Sequence, residues 1–254
     1  AIGDALPQTT QMFSLFSQAP GPLGNVWLPK EPIIENKWSL EFEAEKNSRY
    51  KNSGGTPWND YTAVDRYSIS FWINISEAPS STYEGEVLVF DHVGSKCASV
   101  LISSISTGGQ FRLSFQTYRQ GDSTKYKRWF MNDLLDYDTW YHIVIYNAGG
   151  NLTATNPDTE DVDIYVNAKE VPTTITVIGG PAGNPQFSSF SLYNIYDYLG
   201  SGAKLPKKLN IDELMIISGC VDQSEVTQLF NNREWMNPND MVFSPSASLL
   251  SWFR

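Results

Sequence analysis

The densest set of residues able to grip a ligand is the segment Tyr118-Arg119-Gln120-Gly121-Asp122-Ser123-Thr124-Lys125-Tyr126-Lys127-Arg128-Trp129. Aromatic rings stack on sugar faces, and a guanidinium fork holds carboxylate or sulfate groups. The whole chain carries 18 Lys and Arg against 28 Asp and Glu, a formal net charge of -10. A local reversal of sign on such a chain points to an acidic glycan, with Tyr118, Arg119, Tyr126, Arg128 and Trp129 as ligand-binding residues. The other reading of the same segment is a two-stranded ribbon whose cationic edges deter aggregation. A second set is Asn156-Pro157-Asp158-Thr159-Glu160-Asp161-Val162-Asp163. Its hard oxygens suit calcium, with Asp158, Glu160, Asp161 and Asp163 as ligands and Asp91 and Asn74 as weaker candidates. The alternative is a solvated acidic loop leading into a strand.

Other chemistry is missing. The chain has no nucleophile elbow, no His-Glu-x-x-His, no phosphate loop and no Gly-x-Gly-x-x-Gly. Two cysteines, Cys97 and Cys220, and two histidines, His92 and His142, cannot assemble a structural zinc set. The cysteines are expected as free thiols, a long-range disulfide being the alternative. His142 falls mid-strand and reads as a satisfied, partly buried residue. Trp72, Trp140 and the tyrosines Tyr193, Tyr196 and Tyr198 read as packing. The sequon at Asn74 lies inside a strand and reads as chance; the one at Asn151 lies in a polar loop. A sequence pI near 4.7 argues against nucleic acid or an anionic membrane as partner. No run of 18 apolar residues exists to cross a bilayer.

Strands must position these residues. In Tyr67–Ile75, Ile69, Phe71, Ile73 and Ile75 alternate with Ser68, Ser70, Trp72 and Asn74, which predicts a half-buried strand. Gln110–Tyr118 sets Phe111, Leu113 and Phe115 inward against Arg112, Ser114 and Gln116. Asp161–Asn167 sets Val162, Ile164 and Val166 inward against Asp161, Asp163 and Tyr165. Further strands are expected over 39–42, 86–91, 98–105, 139–147, 173–178, 189–198 and 209–217, with Gly-rich turns between them. Many short strands without alternating helices predict a sandwich or barrel and exclude a doubly wound sheet. One helix is expected near 222–232, where Asp222 and Glu225 form a capping pair ahead of Val226, Leu229 and Phe230.

The ends differ from this body. Residues 1–36 hold many Pro and Gly residues, among them Pro7, Pro20, Gly21, Pro22, Gly24, Pro29 and Pro32, with no sustained period, and read as an arm or linker. Met12–Phe16 and Val26–Leu28 are its expected anchor points, on its own sandwich or on a neighbouring subunit. The body spans 37–235, and 236–254 reads as an extension, either a docked strand or the start of a further segment. Ala1 is not preceded by Met, and no secretory signal pattern follows it, so the chain reads as processed or as a piece of something longer.

Five segments in this order carry a family resemblance: "WSLEFEAEKNSRY" at 38–50, "YSISFWINI" at 67–75, "TWYHIVIY" at 139–146, "DVDIYVNAKEV" at 161–171 and "LNIDELMIISGCVDQSEVTQLFNN" at 209–232. Together they resemble the laminin-G-like branch of the concanavalin A-like lectin/glucanase superfamily. The resemblance implies an all-β jelly-roll sandwich of two antiparallel sheets, with one short C-terminal helix and an irregular N-terminal arm. It also implies that calcium is the metal to expect. Glu43-Ala44 and Asn167-Ala168 stand where the family has Asp-Gly turns, and alanine resists positive φ, which predicts another turn geometry. Glucanases of this fold use a Glu-x-Asp-x-x-Glu strand whose alternation gathers carboxylates on one face. No such triplet occurs; Asp212 pairs by face with Leu214, and Glu213 points away from both. The expectation is therefore a non-enzymatic carbohydrate-binding or adhesion module. A purely structural capsid, decoration or assembly subunit is the alternative, with a glycoside hydrolase behind it. The Pro-rich arm and the final "LLSWFR" resemble virion or surface proteins of phages and environmental viruses. That implies an extracellular or virion-surface location and neighbouring subunits held through residues 1–36 and the C-terminus.

Overall fold

The computed structural model describes residues 40–43, 50–51, 61–62, 66–76, 84–92, 95–104, 109–119, 122–148, 162–178, 189–195, 208–219, 221–230 and 248–253. Residues 1–37 form a unit separate from 38–254. The expected anchor points of the arm lie outside the described residues, as do Cys220, Asn151, Tyr196 and Tyr198.

In chain order the strands are β1 (Leu40–Glu43), β2 (Tyr50–Lys51), β3 (Tyr61–Thr62), β4 (Tyr67–Ile75), β5 (Glu84–His92), β6 (Ser95–Ser104), β7 (Gln110–Arg119) and β8 (Asp122–Met131). There follow β9 (Leu135–Asp136), β10 (Tyr141–Asn147), β11 (Val162–Val166), β12 (Lys169–Val171), β13 (Thr173–Ile178), β14 (Ser189–Ile195) and β15 (Lys208–Ser218). The helix α1 (Gln223–Phe230) and the strand β16 (Ser248–Phe253) complete the order. Two antiparallel sheets form a jelly-roll sandwich. One runs β1-β15-β4-β10-β11-β12, with β16 also paired to β15; the other runs β13-β8-β7-β6-β5-β14-β2, with β3 and β9 at its margins.

The core lies between the sheets and follows the period-2 pattern. Ile69, Phe71 and Ile73 of β4 meet Phe111, Leu113 and Phe115 of β7 in one cluster, all fully buried. Alternation puts every second side chain of each strand into this layer.

The outer face of the first sheet departs from the expected half-burial. Every residue of β4 from Ser68 to Ile75 is buried. The cause is α1, which lies over that face: Val226 and Leu229 join Val144, Met215 and Ile217 in a second apolar cluster, and Phe230 stacks on Trp72 at 5.8 Å. Tyr165, expected outward, is buried in the same cluster. Asp222 and Glu225 form a reciprocal cap. The Glu225 amide donates to the Asp222 carboxylate at 2.9 Å, and the Asp222 amide donates to Glu225 at 2.8 Å.

Two local geometries correct the expectations. Asn167 and Ala168 both take positive φ, 50° and 64°, as a two-residue type I′ hairpin requires. Alanine is held there because the Asn167 side chain accepts from the His142 amide at 2.9 Å, and Gln223 of α1 donates to the Ala168 carbonyl at 2.8 Å. In β15 the register against β4 shifts between Asp212 and Met215. Glu213 occupies the bulge with φ 46°. The extra residue resets the alternation, so Leu214 joins Ile211 in the core and does not share a face with Asp212.

Candidate functional site

The second sheet turns a different outer face to its surroundings. Antiparallel register sets Glu84 of β5 opposite Ser103 of β6, and Ser103 opposite Arg112 of β7. The next row is Glu86, Leu101, Ser114 and Phe130. The row after it is Val89, Ser99, Gln116 and Arg128, and Tyr118 faces Tyr126 beyond that. All these residues share one face: successive rows lie two residues apart on β6, β7 and β8, and on β5 the register shift between Glu86 and Leu88 adds one residue before Val89 returns to the same side.

Arg128 organises the face. Its Nε donates to Gln116 Oε1 at 2.5 Å, and its Nη1 donates to Glu84 Oε1 at 2.9 Å. Tyr126 and Phe130, two residues away on either side, put their ring centroids 5.2 Å and 5.3 Å from the guanidinium. A planar cation between two rings, with a fixed acceptor at Nε, is locked in orientation. Beside it Tyr118 donates its phenol proton to Glu86, and Ser99 lies 3.2 Å from the same oxygen. Burial first, and then the Glu86 charge, hold the Tyr118 phenol far above its ordinary pKa, so it remains a proton donor. Ser99, Ser114, Gln116 and Arg128 are buried, while Glu86, Arg112, Tyr126 and Phe130 are half-buried and Glu84 is exposed. The face therefore has a buried polar floor and a reachable rim.

Of the residues read from the sequence as ligand-binding, the fold brings Tyr118, Tyr126 and Arg128 together. Trp129 is corrected: it is fully buried in the inter-sheet core and packs on Phe115 at 6.1 Å. One residue from Arg128, it must point to the opposite side, and a ligand could reach it only if the sheets parted. Arg119 ends β7, and its side chain lies outside the description. Asp163 lies on β11, half-buried, whereas Asp158, Glu160 and Asp161 lie outside the described residues. Asn74 is buried and accepts from Ser76 and Asn210. Among the described residues no three His, Cys, Asp or Glu gather as a metal cluster.

Sequence reasoning missed Glu84, Glu86, Gln116, Arg112 and Phe130 as parts of one face. A signal existed: Glu84 and Glu86 are two apart at the head of a strand, so their carboxylates share a side. The expected start of that strand at 86 hid it. The reading of His142 also needs correction. It is buried beneath α1, against Trp72 at 5.1 Å and Phe230 at 5.9 Å. Its Nε2 bonds to the Ser70 hydroxyl at 2.9 Å, but Nδ1 has no partner. Burial lowers its pKa to about 3.

A laminin-G-type family model, described as concanavalin A-like lectin/glucanases superfamily, matches residues 48–227. No match was found among curated proteins. Similar solved structures include the binding domain of botulinum neurotoxin serotype C1, at 19% identity and TM-score 0.39, over 68% of this chain and 37% of that one. Trypanosoma rangeli sialidase is similar at 15% identity and TM-score 0.40, over 65% of this chain and 23% of that one. An alginate lyase from Klebsiella pneumoniae is similar at 6% identity and TM-score 0.41, over 59% of each chain. The matches span less than two thirds of each of these relatives, and they include enzymes as well as a binding domain.

Proposed function

This chain belongs to the concanavalin A-like lectin/glucanases superfamily, and we propose that it is a non-enzymatic carbohydrate-binding module of a cell-surface or virion structural protein. The ligand would lie on the outer face of β5–β8. One observation carries this reading: Arg128 is fixed between Tyr126 and Phe130 and tied to Gln116 and Glu84. A sheet face needs no such assembly to be stable, since the opposite sheet fills the equivalent positions with apolar groups and a helix. Half-buried aromatic edges and directed polar groups are what sugar recognition uses. No helix among the described residues is long and apolar enough to cross a membrane.

The test is a glycan array probed with the whole chain, with calcium and with chelator, beside Arg128→Ala. Wild-type binding that the substitution abolishes supports the reading. A blank array under both conditions overturns it in favour of a purely structural subunit. Loss of binding in chelator alone would support calcium at Asp158, Glu160, Asp161 and Asp163.

A second reading is favoured by a specific geometry. Glu84 and Glu86 share a strand face, and Tyr118 donates to Glu86. Two carboxylates and a phenol are the parts of acid–base cleavage of a glycosidic bond. Release of reducing ends from a polysaccharide by the wild type, and not by Glu86→Gln, would replace the binding reading with this one.

A further inference from the structure

Among the described residues, the charges on the β5–β8 face do not all find partners. Glu84 is matched by Arg128 at 2.9 Å, and Glu86 accepts from Tyr118. Lys127 belongs to the other side of its strand, with its ammonium 5.0 Å from the Trp129 ring. Asp136, at the margin, holds the Gln110 amide at 2.7 Å. That leaves Arg112. Its Nε is buried without a hydrogen-bond partner, and it enters no ion pair among the described residues. Arg112 is two positions from Ser114 on β7, in the row of Ser103 and Glu84. A buried guanidinium N–H without an acceptor costs free energy, and native structures avoid leaving one. The rest of the side chain is half-buried at the rim, where a ligand can meet it.

We infer that the ligand of this face is an anionic sugar and that Arg112 is the anchor for its carboxylate or sulfate group. This rests on the reading of the face as a glycan site and adds the residue that anchors the acidic group expected from the sequence. A guanidinium edge offers two parallel N–H donors to one carboxylate or sulfate, which fixes the orientation of the sugar as well as holding its charge. Arg128 cannot take the same part, because its Nε and Nη1 already serve Gln116 and Glu84. Among the described residues Arg112 enters no ion pair, so an incoming anion can neutralise it without first breaking one. The net charge of -10 repels a polyanion at long range, so binding requires this local match and weakens as salt screens it.

The test is titration of the full chain with three polymers: polygalacturonate, dextran sulfate and uncharged dextran. Arg112→Gln and Arg112→Lys are titrated in parallel, and each variant is melted thermally. The expected result is binding of at least one charged polymer and not of dextran. Arg112→Gln weakens it tenfold or more, Arg112→Lys restores part of it, and neither lowers the melting temperature. Preference for polygalacturonate assigns the anion as a uronate carboxylate, and preference for dextran sulfate assigns it as a sulfate ester. Dextran bound as well as the charged polymers, or charged-polymer binding untouched by Arg112→Gln, overturns the inference and leaves the glycan face standing. Binding of no polymer, together with a blank glycan array, overturns the reading of the face itself. Should Arg112→Gln unfold, Arg112→Lys carries the test, since a lysine lacks the fork: unchanged affinity in it would also count against the anchor.

Discussion

The two outer faces of the sandwich are built from the same kind of strand and end differently. On the first sheet, Ser68, Ser70, Trp72 and His142 are covered by α1, whose Val226 and Leu229 close an apolar cluster over them. The serines there are satisfied internally: Ser68 donates to the Gly219 carbonyl at 3.2 Å and accepts from the Val221 amide at 3.3 Å, and Ser70 bonds to His142 Nε2 at 2.9 Å. On the second sheet, Ser99, Gln116, Tyr118 and Arg128 are also buried, but they lie among half-buried aromatics and carry charges of both signs. Burial alone does not separate a structural face from the proposed binding one. Among the described residues, each face leaves one buried nitrogen unmatched, His142 Nδ1 under α1 and Arg112 Nε on the second sheet, and the separation lies in access: His142 is closed over by the helix, whereas Arg112 is only half-buried.

The comparison breaks most visibly on paired substitutions. Trp72→Ala removes a buried ring stacked on Phe230 and His142, and should lower unfolding free energy by about 3–5 kcal/mol. Arg128→Ala should cost only about 1–2 kcal/mol, the loss left in Gln116, because the Glu84 side chain is 49% exposed and returns to water. Urea unfolding of both variants measures the gap, and glycan binding should fail only in the second. Equal costs would mean that the second face is as structural as the first.

The acid response should sharpen the same contrast. The folded protein keeps His142 neutral, with a pKa of about 3 against an ordinary 6.5. Below 6.5 the unfolded chain takes up a proton that the folded chain refuses. This contribution to stability is therefore complete above pH 6.5 and is lost as the pH falls toward 3, at up to about 1.4 kcal/mol per pH unit. Between pH 7.5 and 5 the wild type should lose about 2 kcal/mol more than His142→Phe, read from urea midpoints. Parallel curves for the two proteins would show that the helix-covered face opens to water before His142 titrates.

The capping pair sets the next step down. Asp222→Ala removes the acceptor for the Glu225 amide and should cost about 1 kcal/mol. Thermal melting measures it, with glycan binding unchanged because α1 lies over the other sheet. A loss of binding would couple the two faces and undo the contrast.

The sequence shows the framework far better than the site, for a physical reason. Strand alternation and the Asp222–Glu225 cap are local, so Phe111, Leu113 and Phe115 are placed inward by their spacing alone, and α1 is bounded by its own residues. The covering of β4 depends on where a helix more than 150 residues later comes to rest, so the buried outer side of β4 read as exposed. The bulge at Glu213 shifts one residue and turns Leu214 inward, which no alternation rule foresees. The candidate site gathers Glu84, Tyr118 and Arg128 across four strands, and only register decides that they meet. Trp129 illustrates the converse: composition grouped it with Arg128, and alternation put it on the other side of the sheet.

The smallest effect tests the hairpin that ties the helix side together. Ala168 sits at φ 64°, a conformation that costs an alanine about 1–2 kcal/mol relative to its right-handed basin. Glycine escapes that strain but gains freedom in the unfolded chain, worth about 0.4–1 kcal/mol against it. The difference predicts that Ala168→Gly raises stability by about 0.5 kcal/mol. The Gln223 side chain would still donate to the same backbone carbonyl, so the tie between the hairpin and α1 persists, and glycan affinity on the opposite sheet should not move. Asn167→Ala is the matched control, because it removes the side-chain acceptor for the His142 amide and should destabilise. If Ala168→Gly lowers the melting temperature instead, the turn is relaxed as it stands, and the strain assigned to the helix-covered side of the molecule is not stored there.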